Sequence, residues 1–344
     1  MLTPENFRFA RQAGATHIVA HLVDYFSGGV IHGTDETRHW GVTRNRPLWS
    51  EPELRALKAA VNAEGLTLEA IENFDPSHWH DVLLDGPRRS EQMEGLKEII
   101  RRMGRVGIPI MGYNFSIAGV WGHVEAPHAR GGAVAVGFSA TNGPRQTPIP
   151  RGQVWNMCYD PDAPAGDIGE VTSAQLWDRF ERFLRELVPV AEEAGVRLAA
   201  HPDDPPMPTL RDTARLVYQP HLYERLLGVV PSPANALEFC LGSLQEMTDG
   251  DVYEAIRRYG PRDAIAYVHC RNVRGKVPEY REVFIDEGDL DVVRALRTLH
   301  EVGFQGVVIP DHTPRMECDA PWHAGMAHAL GYLSAALRSI DALA

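Results

Sequence analysis

The chain of 344 residues lacks several features that mark whole classes of protein. It has only four cysteines, scattered along its length, and this excludes a disulfide-stapled scaffold. We therefore expect free thiols or metal ligands in a reducing cytosol. No apolar run approaches the roughly 20 residues that span a bilayer, and the N-terminus lacks the pattern of a secretory signal. These absences predict a cytoplasmic protein that does not cross a membrane.

Positive charge is also scarce. Lys and Arg number 34 against 46 Asp and Glu, so the formal net charge is -12. Nucleic-acid binders usually present a basic surface, and anionic lipids attract clusters of basic residues, so we expect neither partner. Hydrophobic residues make up 44% of the chain, which is typical of a globular protein and excludes extensive disorder.

The repeating pattern is a short apolar run, a polar turn and a long amphipathic segment. The apolar runs are nearly continuous, which suits parallel strands that are covered on both faces. We predict strands at 17–22, 66–72, 108–115, 196–201, 236–241, 264–270 and 306–310. We predict helices at 50–64, 90–106, 173–194, 289–302 and 323–341.

Strands that alternate with helices predict a parallel α/β fold, either a barrel or an open doubly wound sheet. No G-x-G-x-x-G follows a strand, so the open sheet lacks its usual dinucleotide-binding signature. We predict a (β/α)8 TIM barrel formed by residues 1–344 as a single domain, with its eighth strand near 281–286. Residues 116–170 show little periodicity, and we predict an inserted loop or lid after the third strand.

Four residues that can bind a metal lie at the ends of four different predicted strands. They are His201, Cys240, His269 and Asp311. The active sites of such barrels form at the C-terminal ends of the strands, so these side chains should converge. Two imidazoles, a thiolate and a carboxylate suit a first-row divalent ion such as Zn2+, Fe2+, Mn2+ or Co2+. Each residue alone also has an ordinary structural interpretation, so the prediction depends on all four lying at the same end.

Other candidates for the site are Arg271, Lys276, Asn114, His312, His78 and His80. Arg271 and Lys276 are candidates for binding a substrate carboxylate, because guanidinium groups match its two oxygens. Asn114 and His312 are candidates for binding hydroxyls or transferring protons. His78 and His80 either line the substrate-binding side of the site or cap the loop in which they lie. The alternative for Arg271 and Lys276 is an ordinary surface charge. The alternative for Asn114 and His312 is a hydrogen bond at the rim of the barrel.

The same segments resemble a known family. HPDDPP at 201–206, FCLGS at 239–243, VHCRNV at 268–273, PDH at 310–312 and YNF at 113–115 resemble motifs of the mannonate dehydratases. That family belongs to the xylose isomerase-like barrel superfamily. The resemblance implies one divalent ion, commonly Mn2+ or Fe2+, held by the four residues named above. It also implies conversion of D-mannonate to 2-keto-3-deoxy-D-gluconate, by a protein that forms a homo-oligomer.

Two positions depart from the family pattern. Ile309 stands where the family has an Arg directly before PDH, and Met326 stands where it has a Tyr. Neither side chain can transfer a proton or bind a carboxylate. The candidates to replace them are His312, His323, Tyr332 and Arg315, and we place Arg315 among the substrate-binding residues.

Three functions fit these observations. The first is a metal-dependent lyase that dehydrates D-mannonate or a related aldonate to a 2-keto-3-deoxy acid. The second is a metal-dependent sugar isomerase or epimerase of the same superfamily, because the missing Arg suits a neutral substrate. The third is a non-catalytic sugar- or metal-binding barrel, which Met326 suggests. Analysis of the products separates the first two, and any turnover excludes the third.

Overall fold

The structure is a computed structural model, and it describes residues 1–30, 34–43 and 45–342. Seven parallel strands form a nearly closed barrel. All strands of the chain are numbered in sequence order, including those outside the barrel. The barrel strands are β1 (His17–His21), β2 (Thr67–Glu72), β3 (Ile110–Tyr113), β8 (Arg197–Ala200), β11 (Asn235–Cys240), β12 (Ile265–His269) and β15 (Val308–Ile309). Each is hydrogen-bonded to the next in this order. The predicted fold class is therefore confirmed. No helix in the described residues is long and apolar enough to cross a membrane.

Helices follow the strands, as the sequence pattern predicts. They are α1 (Pro4–Gln12), α2 (Glu51–Ala63), α3 (Pro76–Leu84), α4 (Arg89–Val106), α5 (Ser173–Ala194), α6 (Tyr223–Val229), α7 (Leu241–Glu246), α8 (Val252–Tyr259), α9 (Val292–Glu301) and α10 (Pro321–Asp341). Ser50 and Glu53 form a capping box at the start of α2. Gly195, with φ of 67°, ends α5 in the left-handed conformation that glycine tolerates best.

The remaining strands lie outside the barrel. They are β4 (Val124–Ala126), β5 (Ala135–Ser139), β6 (Gln153–Val154), β7 (Met157–Cys158), β9 (Thr209–Leu210), β10 (Thr213–Ala214), β13 (Asn272–Lys276) and β14 (Glu279–Val283). A four-stranded sheet has the order β13-β14-β5-β4. The segment 116–170 therefore contains β4 to β7 and pairs, through β5, with the hairpin that follows β12.

The prediction of an eighth barrel strand near 281–286 is wrong. Residues 279–283 form β14, which pairs antiparallel with β13. Two residues, Val277 and Pro278, connect these strands. A connection this short permits a hairpin, whereas a parallel neighbour needs a crossover of about a dozen residues or more. The described barrel strands consequently number seven.

The inside of the barrel changes from apolar to charged toward the C-terminal ends of the strands. A cluster of small and aliphatic residues includes Ala70, Ala199 and Ala236. Two residues farther along their strands, Glu72 and Glu238 are also buried. Residues two apart on a strand face the same side, so both carboxylates lie on the interior side with the alanines.

Candidate metal centre

Three of the predicted ligands come together at the C-terminal end of the barrel. One ligand atom from each of His201, Cys240 and His269 lies within 4.8 Å of the other two. Cys240 and His269 end β11 and β12 and are partners in the strand register, and His201 directly follows β8. Because neighbouring parallel strands end together, their terminal side chains share one site.

Asp311 lies at the edge of this group. Its Oδ2 is 3.7 Å from Nδ1 of His269. The same oxygen accepts a hydrogen bond from Nε of Arg271 at 3.0 Å. Burial opposes ionisation of Asp311, but the charges of His312 and His269 hold its pKa well below the usual range. An ionised carboxylate therefore lies beside the cluster.

The surroundings of Cys240 favour the ionised form of its thiol. Burial alone would raise its pKa, but Arg271 and hydrogen bonds from His201 and His269 lower it to about 5. The pKa of His201 is about 9, since Cys240 and Glu238 outweigh the effect of burial. Metals bind the thiolate form, so this cysteine is ready to act as a ligand.

Asn114 helps to orient His201. Nδ1 of His201 donates to the carbonyl of Pro202 at 2.6 Å, and Nδ2 of Asn114 donates to the same carbonyl at 3.2 Å. Because Nδ1 is occupied, Nε2 is the nitrogen that His201 can offer to an ion. Asn114 thus lies next to the cluster and contacts the loop that carries His201.

His269 is held by carboxylates on its other nitrogen. Nε2 donates to Oε2 of Glu72 at 3.1 Å, and Oε1 of Glu238 lies 3.1 Å from the same nitrogen. Burial disfavours the charged imidazole, but these two carboxylates raise the pKa of His269 well above its usual value. Metal-binding histidines commonly donate their second N–H to such a partner.

Arg271 lies behind the cluster among four carboxylates, and its side chain is 1% exposed. Its guanidinium contacts Asp204 in a very short ion pair, Glu246 at 2.5 Å, Asp311 at 3.0 Å and Glu282 at 3.2 Å. Every nitrogen of the guanidinium therefore contacts a protein carboxylate. The structure places Arg271 beside the predicted ligands, and its donors contact protein groups.

The charge balance of the site fits a bound cation. Five carboxylates that contact Arg271 or His269 are no more than 6% exposed: Glu72, Asp204, Glu238, Glu246 and Glu282. Arg271 is the buried guanidinium that faces three of them. Burial and the charge of Glu72 raise the pKa of Glu238. Burial and the charge of Asp204 raise the pKa of Glu246. Buried charges require compensation, and a divalent ion among soft and hard donors would supply it.

His312 lies on the open side of the cluster, with 46% of its side chain exposed. Its Nδ1 is 2.8 Å from Oε1 of Glu282, and its Nε2 is 3.6 Å from Oδ1 of Asp311. Partial burial opposes protonation, but Asp311 and Glu282 raise the pKa of His312 to about 10. A charged imidazolium therefore faces the space next to the predicted ligands.

Comparisons with known proteins agree with this geometry. A sequence model described as D-mannonate dehydratase (UxuA) matches residues 8–143 and 166–341. Mannonate dehydratase 2 of Halalkalibacterium halodurans is 30% identical over 276 residues, which is 77% of this chain and 79% of that protein. The chain belongs to the mannonate dehydratase family. The mannonate dehydratase of Lactococcus lactis subsp. lactis is also 30% identical, over 284 residues, with 77% and 78% covered.

Solved structures show the same fold. The mannonate dehydratase from Streptococcus suis serotype 2 gives a TM-score of 0.73 at 23% identity, covering 95% of this chain and 96% of that one. A xylose isomerase-like TIM barrel protein from Mycobacterium smegmatis, in complex with magnesium, gives 0.57 at 16% identity, covering 98% and 88%. The family predicted from the motifs is confirmed. Membership makes the chain a hydro-lyase of sugar acids, so the interpretation as a non-catalytic barrel loses its support.

Of the two departures from the mannonate dehydratase pattern, Ile309 is the register partner of His269 in the pairing of β12 with β15. Ile309 packs with the interior cluster that contains Ala70 and Ala236, and Met326 lines a cavity between α10 and the barrel. Among the proposed replacements, His323 contacts Asn6 at 3.0 Å. Arg315 forms an ion pair with Glu125, and Tyr332 packs against the core. His312 is the replacement candidate that contacts a predicted ligand.

Three further predicted substrate contacts, His78, His80 and Lys276, are engaged elsewhere. Nε2 of His78 lies 3.1 Å from two backbone carbonyls, and the ring of His80 stacks on Tyr159 at 4.0 Å. Nζ of Lys276 donates to the carbonyl of Met247 at 2.5 Å. In the described structure, neither these side chains nor Arg315 forms a hydrogen bond or ion pair with the four predicted ligands. Asp75 caps the start of α3, the helix that carries both histidines.

The sequence interpretation missed the carboxylates beneath the cluster. Glu72 ends β2, and its Oε2 accepts a hydrogen bond from the hydroxyl of Tyr267 at 3.3 Å. Glu238 lies in β11, whose six residues NALEFC are all buried. One charged residue inside an otherwise buried strand was the available signal, because such a residue needs a partner.

Alanine in place of Gly112 is expected to disturb this buried layer. A Cβ there would lie 2.1 Å from the hydroxyl of Tyr267 and 2.6 Å from Oε2 of Glu238. Overpacking of this kind costs about 1–3 kcal/mol, and urea unfolding should show that loss. Gly331→Ala is the matched control, since a Cβ in that helix meets nothing within 4 Å. Equal stability of both variants would contradict the prediction.

Proposed function

We propose that the chain removes water from D-mannonate or a closely related aldonate and forms a 2-keto-3-deoxy acid. The observation that carries this proposal is the convergence of His201, Cys240 and His269 in a member of the mannonate dehydratase family. The reaction needs a proton taken from the carbon beside the carboxylate and a hydroxyl lost from the next carbon.

The proposed cofactor is one divalent ion, Mn2+ or Fe2+, with Zn2+ and Co2+ as alternatives. Its proposed ligands are His201, Cys240, His269 and Asp311. Such an ion would supply positive charge to offset the negative charge that develops on the substrate as the proton leaves. The mixture of thiolate, imidazole and carboxylate donors supports this choice of ions.

Among the predicted catalytic residues, His312 is proposed to donate a proton to the departing hydroxyl. It carries that proton at neutral pH and faces the open side of the cluster. Arg271 and Asn114 are proposed to act as positioning residues, because their donors contact Asp311 and the loop of His201. No substrate contact is proposed for His78, His80, Lys276 or Arg315, whose side chains contact other protein groups.

A sugar isomerase or epimerase is the second candidate. Ile309 supplies no charge where the family pattern has Arg, and the guanidinium of Arg271 is engaged by carboxylates. A neutral substrate would tolerate this arrangement better than an acid. The two candidates differ in their products, a 2-keto-3-deoxy acid in one case and an isomeric sugar in the other.

Removal and return of the metal test the proposal. Dialysis against a chelator is expected to abolish formation of the 2-keto-3-deoxy product from D-mannonate, and Mn2+ or Fe2+ is expected to restore it. Product formation is measured beside the metal content of the same sample, and separate reconstitution with Zn2+ and Co2+ identifies the ion. Full activity in protein shown to be metal-free would contradict the metal mechanism.

Three further features are proposals of the same kind. They are a homo-oligomer, a cytoplasmic location, and a single domain spanning 1–344 in which 116–170 serves as a lid. Pairing of β5 with β14 supports the lid, because β14 carries Glu282, which contacts both His312 and Arg271. Light scattering on the purified protein measures the oligomeric state.

A further inference from the structure

His21 is the last residue of β1, at the C-terminal end of the barrel where the predicted ligands meet. It faces Glu72 in the register of β1 with β2, and Val19, two residues earlier, faces Ala70. Val19 packs against the cluster inside the barrel that contains Ala70. Residues two apart on a strand share a face, so the imidazole of His21 projects toward the same interior. Its side chain is 44% exposed, which leaves it open to a ligand.

The hydrogen bonds around His21 fix which ring nitrogen carries the hydrogen. The side-chain amide of Asn73 donates to the hydroxyl oxygen of Tyr25 at 3.0 Å, and that hydroxyl lies 3.1 Å from Nδ1 of His21. Desolvation and the charge of Glu72 raise the pKa of Tyr25, so the phenol keeps its hydrogen and donates it to Nδ1 in a hydrogen bond. In a neutral imidazole the other nitrogen is then the donor, so Nε2 of His21 carries the N–H.

This donor does not reach the carboxylate beside it. Nε2 of His21 is 3.6 Å from Oε1 of Glu72, which is too long for a hydrogen bond. The second oxygen of Glu72, Oε2, accepts from Nε2 of His269 and from the hydroxyl of Tyr267. Among the residues that the structure describes, neither Nε2 of His21 nor Oε1 of Glu72 forms a hydrogen bond. A free donor and a free acceptor therefore lie side by side, next to a predicted metal ligand.

Aromatic rings beside His21 suit a sugar chain. The ring of Tyr25 lies 5.6 Å from that of His21, 5.5 Å from that of Trp155 and 6.2 Å from that of Trp40. Ligand pockets commonly combine aromatic side chains with a few polar groups that fix the orientation of the ligand. Trp155 has φ of 52°, a left-handed conformation that bulky residues rarely adopt and that clusters at functional sites.

We propose that His21 and Glu72 together bind one hydroxyl group of the sugar acid. The hydroxyl oxygen accepts from Nε2 of His21, and its hydrogen is donated to Oε1 of Glu72, because a hydroxyl is both acceptor and donor. At hydrogen-bond lengths of about 2.7–3.0 Å, one oxygen reaches both atoms. The inference rests on the proposed function and adds a residue that determines which substrates bind. Tyr25 is a positioning residue, because it acts through the imidazole.

Kinetics with D-mannonate and calorimetric binding of D-mannitol to the metal-loaded full-length chain test the proposal. D-mannitol has hydroxyls but no carboxylate, so its binding reports recognition of hydroxyls without turnover. A hydrogen bond to a charged group contributes about 10–100-fold to affinity. His21→Phe should raise the KM for D-mannonate and the Kd for D-mannitol by that factor. The value of kcat should change less, because the contact is made equally in the ground state and the transition state.

Three further variants separate the hydroxyl contact from general effects. His21→Gln keeps an N–H donor near the position of Nε2, so it should recover most of the lost affinity. Tyr25→Phe removes only the hydroxyl that orients the imidazole, and it should raise KM by about 2–10-fold, the usual range for one neutral hydrogen bond. His17→Phe is the matched control, because His17 lies at the opposite end of the same strand. It should leave both constants unchanged.

The outcomes distinguish this inference from the proposed function. Equal KM and Kd in the wild type and in His21→Phe, with folding checked by circular dichroism, would overturn the inference. A lower kcat at unchanged KM would also overturn it, because His21 would then act in the chemical step. A misfolded His21→Phe leaves Tyr25→Phe as the test, and unchanged KM there has the same meaning.

Binding of D-mannitol separates the remaining cases. Binding that depends on His21, in a chain that converts no aldonate, would support the hydroxyl contact and refute the proposed function. A wild-type chain that binds neither D-mannonate nor D-mannitol would overturn the hydroxyl contact itself.

Discussion

Alanine at His269 is expected to abolish both tight binding of a divalent ion and dehydratase turnover. His269 belongs to both groups of mutually close ligand atoms in the described structure. Since loss of an outer partner already costs about 10–100-fold in affinity, loss of the imidazole itself should cost more. Metal content after dialysis, measured by mass spectrometry, and kcat/KM for the aldonate are the two readouts.

His300→Ala is the control for this variant. His300 is an exposed imidazole on α9, and its loss should leave metal content and turnover unchanged. Both variants lose an imidazole, but only His269 is a predicted ligand. Loss of metal and turnover in both variants would therefore indicate a general loss of structure. One ion per chain and normal turnover in folded His269→Ala would remove His269 from the ligand set.

Methionine at Arg271 is expected to lower the free energy of unfolding by about 3–5 kcal/mol, the usual cost of removing one partner from a buried ion pair. The guanidinium contacts Asp204, Glu246, Glu282 and Asp311. Methionine keeps much of the side-chain length but leaves these carboxylates without their shared cation. Urea unfolding of the metal-free protein measures the loss.

Arg274→Met is the matched control, because Arg274 lies on β13, the strand that begins directly after Arg271 in the chain. The Arg274 side chain is 44% exposed, and exposed ion pairs contribute only about 0–1 kcal/mol. Wild-type stability in Arg271→Met, combined with a raised KM for the aldonate, would contradict the positioning role. That result would instead support the sequence-based prediction that Arg271 binds the substrate carboxylate.

Local patterns predicted the elements of the fold well. The segment 173–194 was predicted as a helix and forms α5 with the same bounds, because its capping box and apolar stripe depend on near neighbours. The same approach failed at 281–286, where an apolar run was interpreted as a barrel strand. The two-residue connection before β14 was the overlooked signal, since it permits only an antiparallel partner.

The candidate ligands were also accessible to sequence reasoning, because each lies at or just beyond the end of a strand. Parallel strands in a barrel end at a common rim, so residue type and position together predicted the convergence of His201, Cys240 and His269. The family follows from the same motifs, and the comparisons confirm it.

The partners of these residues depend on the tertiary structure. Glu72 and Glu238 are far apart in sequence and meet at His269 because barrel closure brings β2 and β11 to the same interior. Arg271 is a plausible substrate-binding group in the sequence and a buried counterion in the fold, because four separate segments direct carboxylates at it. Strand and helix patterns arise from neighbouring residues, so the sequence reveals them. Charge compensation arises from long-range packing, so it becomes visible only when the chain is folded.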